Sequence, residues 1–214
     1  MALTSTAILE KQPSVNDQSH LHFYTKGETI PLMSAGIWQI CQGLVRLSTI
    51  YPSGEEGLLG WVGSSMCFSA GFSNLESYEA TAISDVCLMW YSNEEIETSA
   101  TLARELLPQL GRRFRQTETL LAIAGLRRVE DRLQQLLVLL QQEFGQPIEE
   151  GTRLSIRLTH QDIAGAINST RVTVTRLLGK LQQQGLITRD RDRHFIIAKD
   201  AFASSSNLCL SMPQ

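Results

Sequence analysis

Residues 159–185 read T-H-Q-D-I-A-G-A-I-N-S-T-R-V-T-V-T-R-L-L-G-K-L-Q-Q-Q-G, and the rest of the chain is organised around this stretch. Thr159 followed by Asp162 is a helix start: a hydroxyl that accepts backbone N–H bonds and a carboxylate in the positively polarised first turn. The spacing predicts a helix opening at His160, with Ile163, Ala164 and Ile167 on one narrow apolar face. Asn168 breaks that pattern, and after glycine it is the residue that best tolerates a left-handed backbone. Ser169 and Thr170 both suit the cap of a second helix. Its buried stripe is Val174, Leu177, Leu178 and Leu181, and Gly185 ends it.

The face opposite that stripe carries Arg171, Val172, Thr175, Arg176, Gly179 and Lys180. A guanidinium can pair with guanine O6 and N7, a Val or Thr methyl can meet a thymine methyl, and hydroxyls and Lys can hold phosphates. An ordinary solvated helix can also carry two arginines. Here the cap, the turn and the buried stripe coincide with the basic face, which favours double-stranded DNA as the partner. Beyond it, L-I-T-R-D-R-D-R-H-F-I-I-A (residues 186–198) has two apolar runs around a charged turn, a hairpin signal. Arg189, Arg191 and Arg193 could reach a sugar-phosphate backbone, with Asp190 and Asp192 partly neutralising them. These elements together predict a winged helix-turn-helix.

The words S-T-R-V-T-V-T-R-L-L-G (residues 169–179) resemble the bacterial family of the cyclic-AMP receptor protein and the fumarate-nitrate regulator, in particular its cyanobacterial nitrogen-control branch. The resemblance spans nearly the whole chain and is most specific over residues 113–187. It implies an α+β protein: an N-terminal cyclic-nucleotide-binding-type β jelly roll, a long dimerisation helix and a C-terminal winged helix-turn-helix. It also implies a homodimeric transcription regulator that works with RNA polymerase on a GTA…TAC-like palindrome. Position by position, Arg171, Val172 and Arg176 would read bases, Thr170 and Thr173 would hold phosphates, and His160 and Gln161 match backbone-contacting positions of the first helix.

Composition agrees with a folded regulator of this kind. The 214 residues are 43% hydrophobic, enough for real cores. The net charge of -3 hides a split: residues 1–103 hold 3 Lys and Arg against 11 Asp and Glu, residues 104–214 hold 16 against 11. The cationic footprint therefore lies in the C-terminal half. Cys41, Cys67, Cys87 and Cys209 have neither C-x-x-C spacing nor histidine partners, so buried thiols are expected rather than a metal or iron-sulfur site. No basic leader or apolar run long enough to span a bilayer is present, which predicts a cytoplasmic chain without a membrane partner. An enzyme of the double-stranded β-helix type would need a metal triad, yet the N-terminal half holds only His20 and His22. No nucleophile-base pair or phosphate loop is found, so no catalytic residue and no cofactor is assigned.

In chain order, residues 1–20 read as a loose arm. Five short apolar runs follow between residues 21 and 91: L-H-F-Y, I-W-Q-I, L-V-R-L-S-T-I-Y, G-L-L-G-W-V and A-T-A-I-S-D-V-C-L-M-W, a pattern for a sandwich or barrel. Gly27, Gly43 and Gly54 match the corners of the family's jelly roll. In its cyclic-AMP-binding members an arginine pairs with the nucleotide phosphate. The corresponding segment here, S-M-C-F-S-A-G-F-S-N-L-E-S-Y-E-A-T-A, has no cation, and no Lys or Arg stands between Arg46 and Arg104. Glu76 falls where the nitrogen-control branch holds 2-oxoglutarate with an arginine, so cyclic nucleotide is not expected and that clamp is broken. Arg113 and Glu118 match helix positions of the branch and remain candidates for an effector, with 2-oxoglutarate as the alternative reading. The segment is also shorter than in the relatives, which predicts a reduced pocket.

From Asn93 the periodicity turns helical, with Pro108 interrupting the first helix or starting the next. Leu110, Phe114, Thr117, Leu121 and Ala124 recur at alternating spacings of four and three, a coiled-coil seam. Residues 125–127 form a hinge. Val129, Leu133, Leu136, Leu137 and Leu140 then make a second stripe, and L-S-I-R-L (residues 154–158) is expected as the first strand of the winged domain. The expected division is a sensor domain at 1–98, a dimerisation helix and hinge at 99–126, a DNA-binding domain at 127–200 and a tail at 201–214.

Overall fold

The computed structural model describes residues 20–202; the N-terminal arm before them, the tail beyond them and Cys209 lie outside that range. Four of the five apolar runs each form one strand: β1 (Leu21–Tyr24), β2 (Gly36–Gln42), β3 (Leu44–Ile50) and β4 (Glu56–Gly63). A two-residue strand, β5 (Cys67–Phe68), follows, too short to leave a periodic signal. The fifth run is divided into β6 (Tyr78–Ala82) and β7 (Val86–Ser92). The division has a cause: Ser84 Oγ accepts the Leu44 N–H at 3.0 Å and Asp85 Oδ1 accepts the Lys26 N–H at 3.0 Å, which pins a turn between them.

These strands make two antiparallel sheets, ordered β1-β7-β2-β5 and β4-β3-β6. Alternate residues point inward, so Trp38, Ile40 and Leu88 of the first sheet meet Val45, Leu47 and Val62 of the second in one core. Gly27, Gly43 and Gly54 all have positive φ, at +93°, +91° and +81°, as corner positions require. The thiols divide by position: Cys67 is buried and its pKa is pushed up to about 12 by burial, whereas Cys41 is exposed, contrary to the expectation of uniformly buried cysteines. Cys41 sits at the bulge of β2, which turns its side chain out of the pleat.

A short helix α1 (Asn93–Thr98), capped by Ser92 and Glu95, leads into α2 (Ala100–Ala124). α2 runs through Pro108 without a break. Proline deletes one backbone bond of the helix, but the turn before it is anchored by Leu106, buried against Ile37 and Cys67 of the roll. α2 then crosses β4, the uncovered edge of its sheet, where the pairing register shifts between Gly60 and Leu58. The edge groups find partners on the helix: Arg113 Nη2 donates to Leu59 O at 2.7 Å and the Trp61 N–H donates to Gln116 Oε1 at 3.1 Å. Covering an edge in this way also satisfies its backbone.

After Gly125 the chain re-enters helix as α3 (Val129–Phe144), tied back to α2 by the Arg112–Glu143 ion pair at 2.7 Å. A second four-stranded sheet, ordered β10-β11-β9-β8, uses β8 (Gly145–Ile148), β9 (Gly151–Leu154), β10 (Ile187–Arg189) and β11 (Phe195–Ala198). The first strand pair of the winged part is thus a hairpin over residues 145–154, and L-S-I-R-L is not a strand beyond its first residue. Ser155 donates both its N–H (2.8 Å) and its hydroxyl (2.9 Å) to Phe144 O, which ends the ladder. Ile156 and Leu158 then bury as anchors of the connection to α4 (His160–Ala166) and α5 (Arg171–Gln183). One core joins these pieces: Leu44 and Trp61 of the roll lie in the same cluster as Leu133, Leu137, Ile163 and Leu178.

Gly60 is a point of close approach between β4 and α2. Its φ is +146°, and a Cβ there would lie 2.5 Å from Gln116 Oε1 and 2.8 Å from Arg113 Nη1. Gly60→Ala is expected to cost about 1–3 kcal/mol, from backbone strain and from loss of the two edge contacts. Urea unfolding checks this; a midpoint within error of the parent would refute the close-approach argument.

Candidate nucleic-acid interface

The two helices form as their caps dictate. Thr159 Oγ1 accepts the Asp162 N–H at 3.1 Å and Asp162 Oδ2 accepts the Thr159 N–H at 2.8 Å, a complete capping box for α4. Asn168 takes the left-handed conformation with φ +46°, and Thr170 caps α5 by accepting the Thr173 N–H at 3.2 Å. Ile163, Ala164 and Ile167 bury against Val174, Leu177, Leu178 and Leu181, so the opposite face of α5 is left outward.

That face is an open, uncompensated cationic surface. Gln161, Thr170, Arg171, Val172, Thr175, Arg176 and Lys180 are exposed, and His160 and Thr173 are half-buried beside them. Val172 is 79% exposed, the most exposed of the large apolar side chains among the described residues. Among the described residues no ion pair involves Arg171, Arg176 or Lys180. A helix built for water alone has no reason to hold a valine out between two unpaired guanidinium groups; a surface awaiting an anionic, methyl-bearing partner does.

A polar chain that the sequence did not reveal fixes the relation of α4, α5 and the wing. His160 Nδ1 lies 2.7 Å from Thr175 Oγ1, Thr175 Oγ1 donates to Arg171 O at 2.8 Å, and Arg189 Nη2 lies 2.6 Å from His160 Nε2. The neutral imidazole with its proton on Nδ1 satisfies all three contacts. Burial, then the nearby charges of Arg189 and Arg171, push the His160 pKa below its ordinary value. Arg189 also stacks over the Phe195 ring at 4.4 Å, so it stiffens the wing, while Arg191 and Arg193 are exposed at the tip. Asp190 does not neutralise them: its carboxylate is taken by Arg153 at 2.6 Å and by the His194 N–H at 2.8 Å.

The head is held against the roll. Arg46 of β3 contacts Glu56 at 2.9 Å and Asp162 at 3.5 Å, so the first carboxylate of α4 is shared between its helix cap and the sheet. A cleft beside this contact runs from Glu55 and Glu56 to Asn168 and Thr170.

The second candidate region, the effector pocket, is also formed. A cavity of about 520 Å³ lies between the roll and α2, so the short segment has not closed it. Arg113 lines it together with Thr117, one helical turn on. Glu118 does not: an added residue rotates it off the Arg113 face, and it is exposed. Glu76 is exposed as well and absent from the wall, where Tyr78 stands instead. Tyr78 opens β6 on the cavity wall, whereas Glu76 sits exposed in the turn before it, so repulsion by Glu76 is not what shapes this cavity.

Comparison with known proteins converges on one group. Residues 131–202 match the Crp-like helix-turn-helix domain. The chain is 39% identical over 171 residues to regulatory protein CysR of Synechococcus elongatus, covering 78% of this chain and 79% of that one. It is 34% identical over 161 residues to the global nitrogen regulator of Synechocystis, covering 71% and 72%. A transcriptional regulator of the CRP/FNR family from Thermus thermophilus has the same fold, with a TM-score of 0.68 at 21% identity over 87% of this chain and 97% of that one. These relatives are regulators, not enzymes.

The His160 chain has a pH consequence. Its folded-state pKa is depressed, so its stabilising contribution is full above the ordinary value of 6.5 and is lost as pH falls below it. His194, also depressed chiefly by burial, acts in the same direction. Between pH 7.5 and 5.5 the parent should therefore lose more thermal stability than His160→Gln, which bridges without titrating. Equal losses in a paired melting series would remove His160 from the account.

Proposed function

The chain belongs to the CRP/FNR family of transcription regulators, near its cyanobacterial nitrogen-control branch, and on that premise we propose that it binds an inverted-repeat DNA operator as a homodimer. The observation that carries this reading is the outward face of α5, where Val172 stands between the unpaired Arg171 and Arg176. Arg171, Val172 and Arg176 read base edges. Thr170, Thr173, Thr175, Lys180, Gln161 and His160 lie around them on the side that meets phosphates, and hold the reading helix in register.

A single α5 reads only a half-site, and α2 supplies the means of doubling it. Leu107, Phe114 and Leu121 are spaced seven apart and are 69%, 64% and 75% exposed, an apolar stripe that the described residues leave uncovered. With Leu110, Thr117 and Ala124 they form the a and d positions of a parallel pair. Twofold pairing about α2 presents two reading helices to successive major grooves about 34 Å apart. In this arrangement residues 1–98 act as the sensor, 99–126 as the dimer helix and hinge, and 127–200 as the reading head. A small-molecule effector in the cavity beside Arg113 would act by favouring one orientation of the two heads.

Fluorescence anisotropy on a GTA…TAC duplex and a scrambled one tests the reading helix. Arg176→Ala should lose about 1–3 kcal/mol of discrimination between them; an equal loss on both duplexes would reduce Arg176 to a phosphate contact. Leu121→Glu should leave monomers with weak operator binding, and an unchanged dimer mass by light scattering would refute the seam.

A further inference from the structure

We propose that the cavity between the roll and α2 takes an amphiphilic monocarboxylate, one carboxylate on an apolar body, in place of a nucleotide or a dicarboxylate. The inference rests on the effector reading of that cavity and names its ligand class.

The walls decide it. Leu59, Phe68, Phe72, Leu75, Leu110 and Phe114 make most of the lining apolar, and among the lining residues there is one cation, Arg113, and no carboxylate. The Arg113 guanidinium donates to Leu59 O at 2.7 Å and to Thr117 Oγ1 at 2.6 Å, which fixes it at the wall. Neither acceptor carries charge, and no ion pair among the described residues includes Arg113. A half-buried positive charge is thus held in place with its counter-ion still to come. Tyr78 stands on the same wall, and burial pushes its pKa up, so it keeps its O–H as a second donor.

One carboxylate satisfies this arrangement. A second carboxylate would find no second cation, and the hydroxyls of Ser69, Ser73 and Thr117 are already engaged with protein groups; a nucleotide would also have to bury its ribose hydroxyls there. The volume of about 520 Å³ suits a body of drug-like size. The occupant is also felt beyond its own chain: Phe114 and Thr117 belong both to the cavity wall and to the apolar stripe of α2, so the partner helix packs against residues that the ligand touches.

Calorimetry on the full-length dimer without DNA tests the class, using octanoate, 3-phenylpropionate, 1-octanol and 2-oxoglutarate as probes. Octanoate or 3-phenylpropionate, according to whether the body is aliphatic or aromatic, should bind saturably at one site per chain. Arg113→Met should weaken that binding at least tenfold and leave 1-octanol unchanged. Phe72→Glu, at an exposed wall position away from the packing core, should abolish it while preserving the fold, which guards against misfolding of the arginine variant. Saturation by 2-oxoglutarate alone, no saturation by either monocarboxylate, or octanoate binding indifferent to both substitutions would overturn the proposal. Because no DNA is present, its failure leaves the operator assay untouched, and failure of the operator assay leaves this titration readable.

Discussion

The contact between α2 and the edge of β4 is the constraint on which the rest depends. A sheet edge with a bulge leaves backbone groups that must be paired, and α2 pairs them with Arg113 and Gln116 across a glycine that has no side chain to keep the helix away. Once α2 lies there, its position settles three further things. Its roll-facing side roofs the cavity, its outer side presents an apolar stripe, and its end at Gly125 delivers α3 to the place where the reading head is built. The head shares a core with Leu44 and Trp61, so the roll, the helix and the head are mechanically continuous at side-chain resolution.

Sequence signals specify structure where the chemistry is local. The capping box at Thr159, the left-handed Asn168, the Thr170 cap and the buried stripe of α5 each involve residues a few positions apart, and each stands in the structure as spacing implies. Tertiary partners were not legible. His160 meets Thr175 and Arg189, residues 15 and 29 positions away, and nothing in composition marks that pairing. Asp190 was read as a neutraliser of its neighbours, but Arg153 reaches it from 37 positions upstream. The Pro108 reading shows a different failure. Treating the proline as a helix breaker hid Leu107, one heptad before Phe114, although the seven-residue spacing was there to be counted.

The cavity beside Arg113 shows that a residue's place along the chain path outweighs its type. Glu76 was conspicuous as an acid where a base was wanted, yet it is on the outer side, and Tyr78 occupies the wall. Glu118 matches a helix position of the resembled branch, but within the chain the pitch of α2 brings Thr117 beside Arg113 instead. Glu118 is turned away by the pitch of a regular helix, whereas Glu76 stands in the turn that precedes β6.

The shared carboxylate of Asp162 has a consequence for how such a regulator can diverge. One oxygen closes the cap of α4 and the other receives Arg46, so replacing Asp162 alters folding and docking in the same stroke. Arg46 takes no part in the cap and pairs with Glu56 as well as with Asp162. A single change at Arg46 can therefore remove this one tie between head and roll while the α4 cap and the shared core around Leu44 and Trp61 keep their structure. The cap of α4 and the tie to the roll are in this way open to change at different positions of the chain.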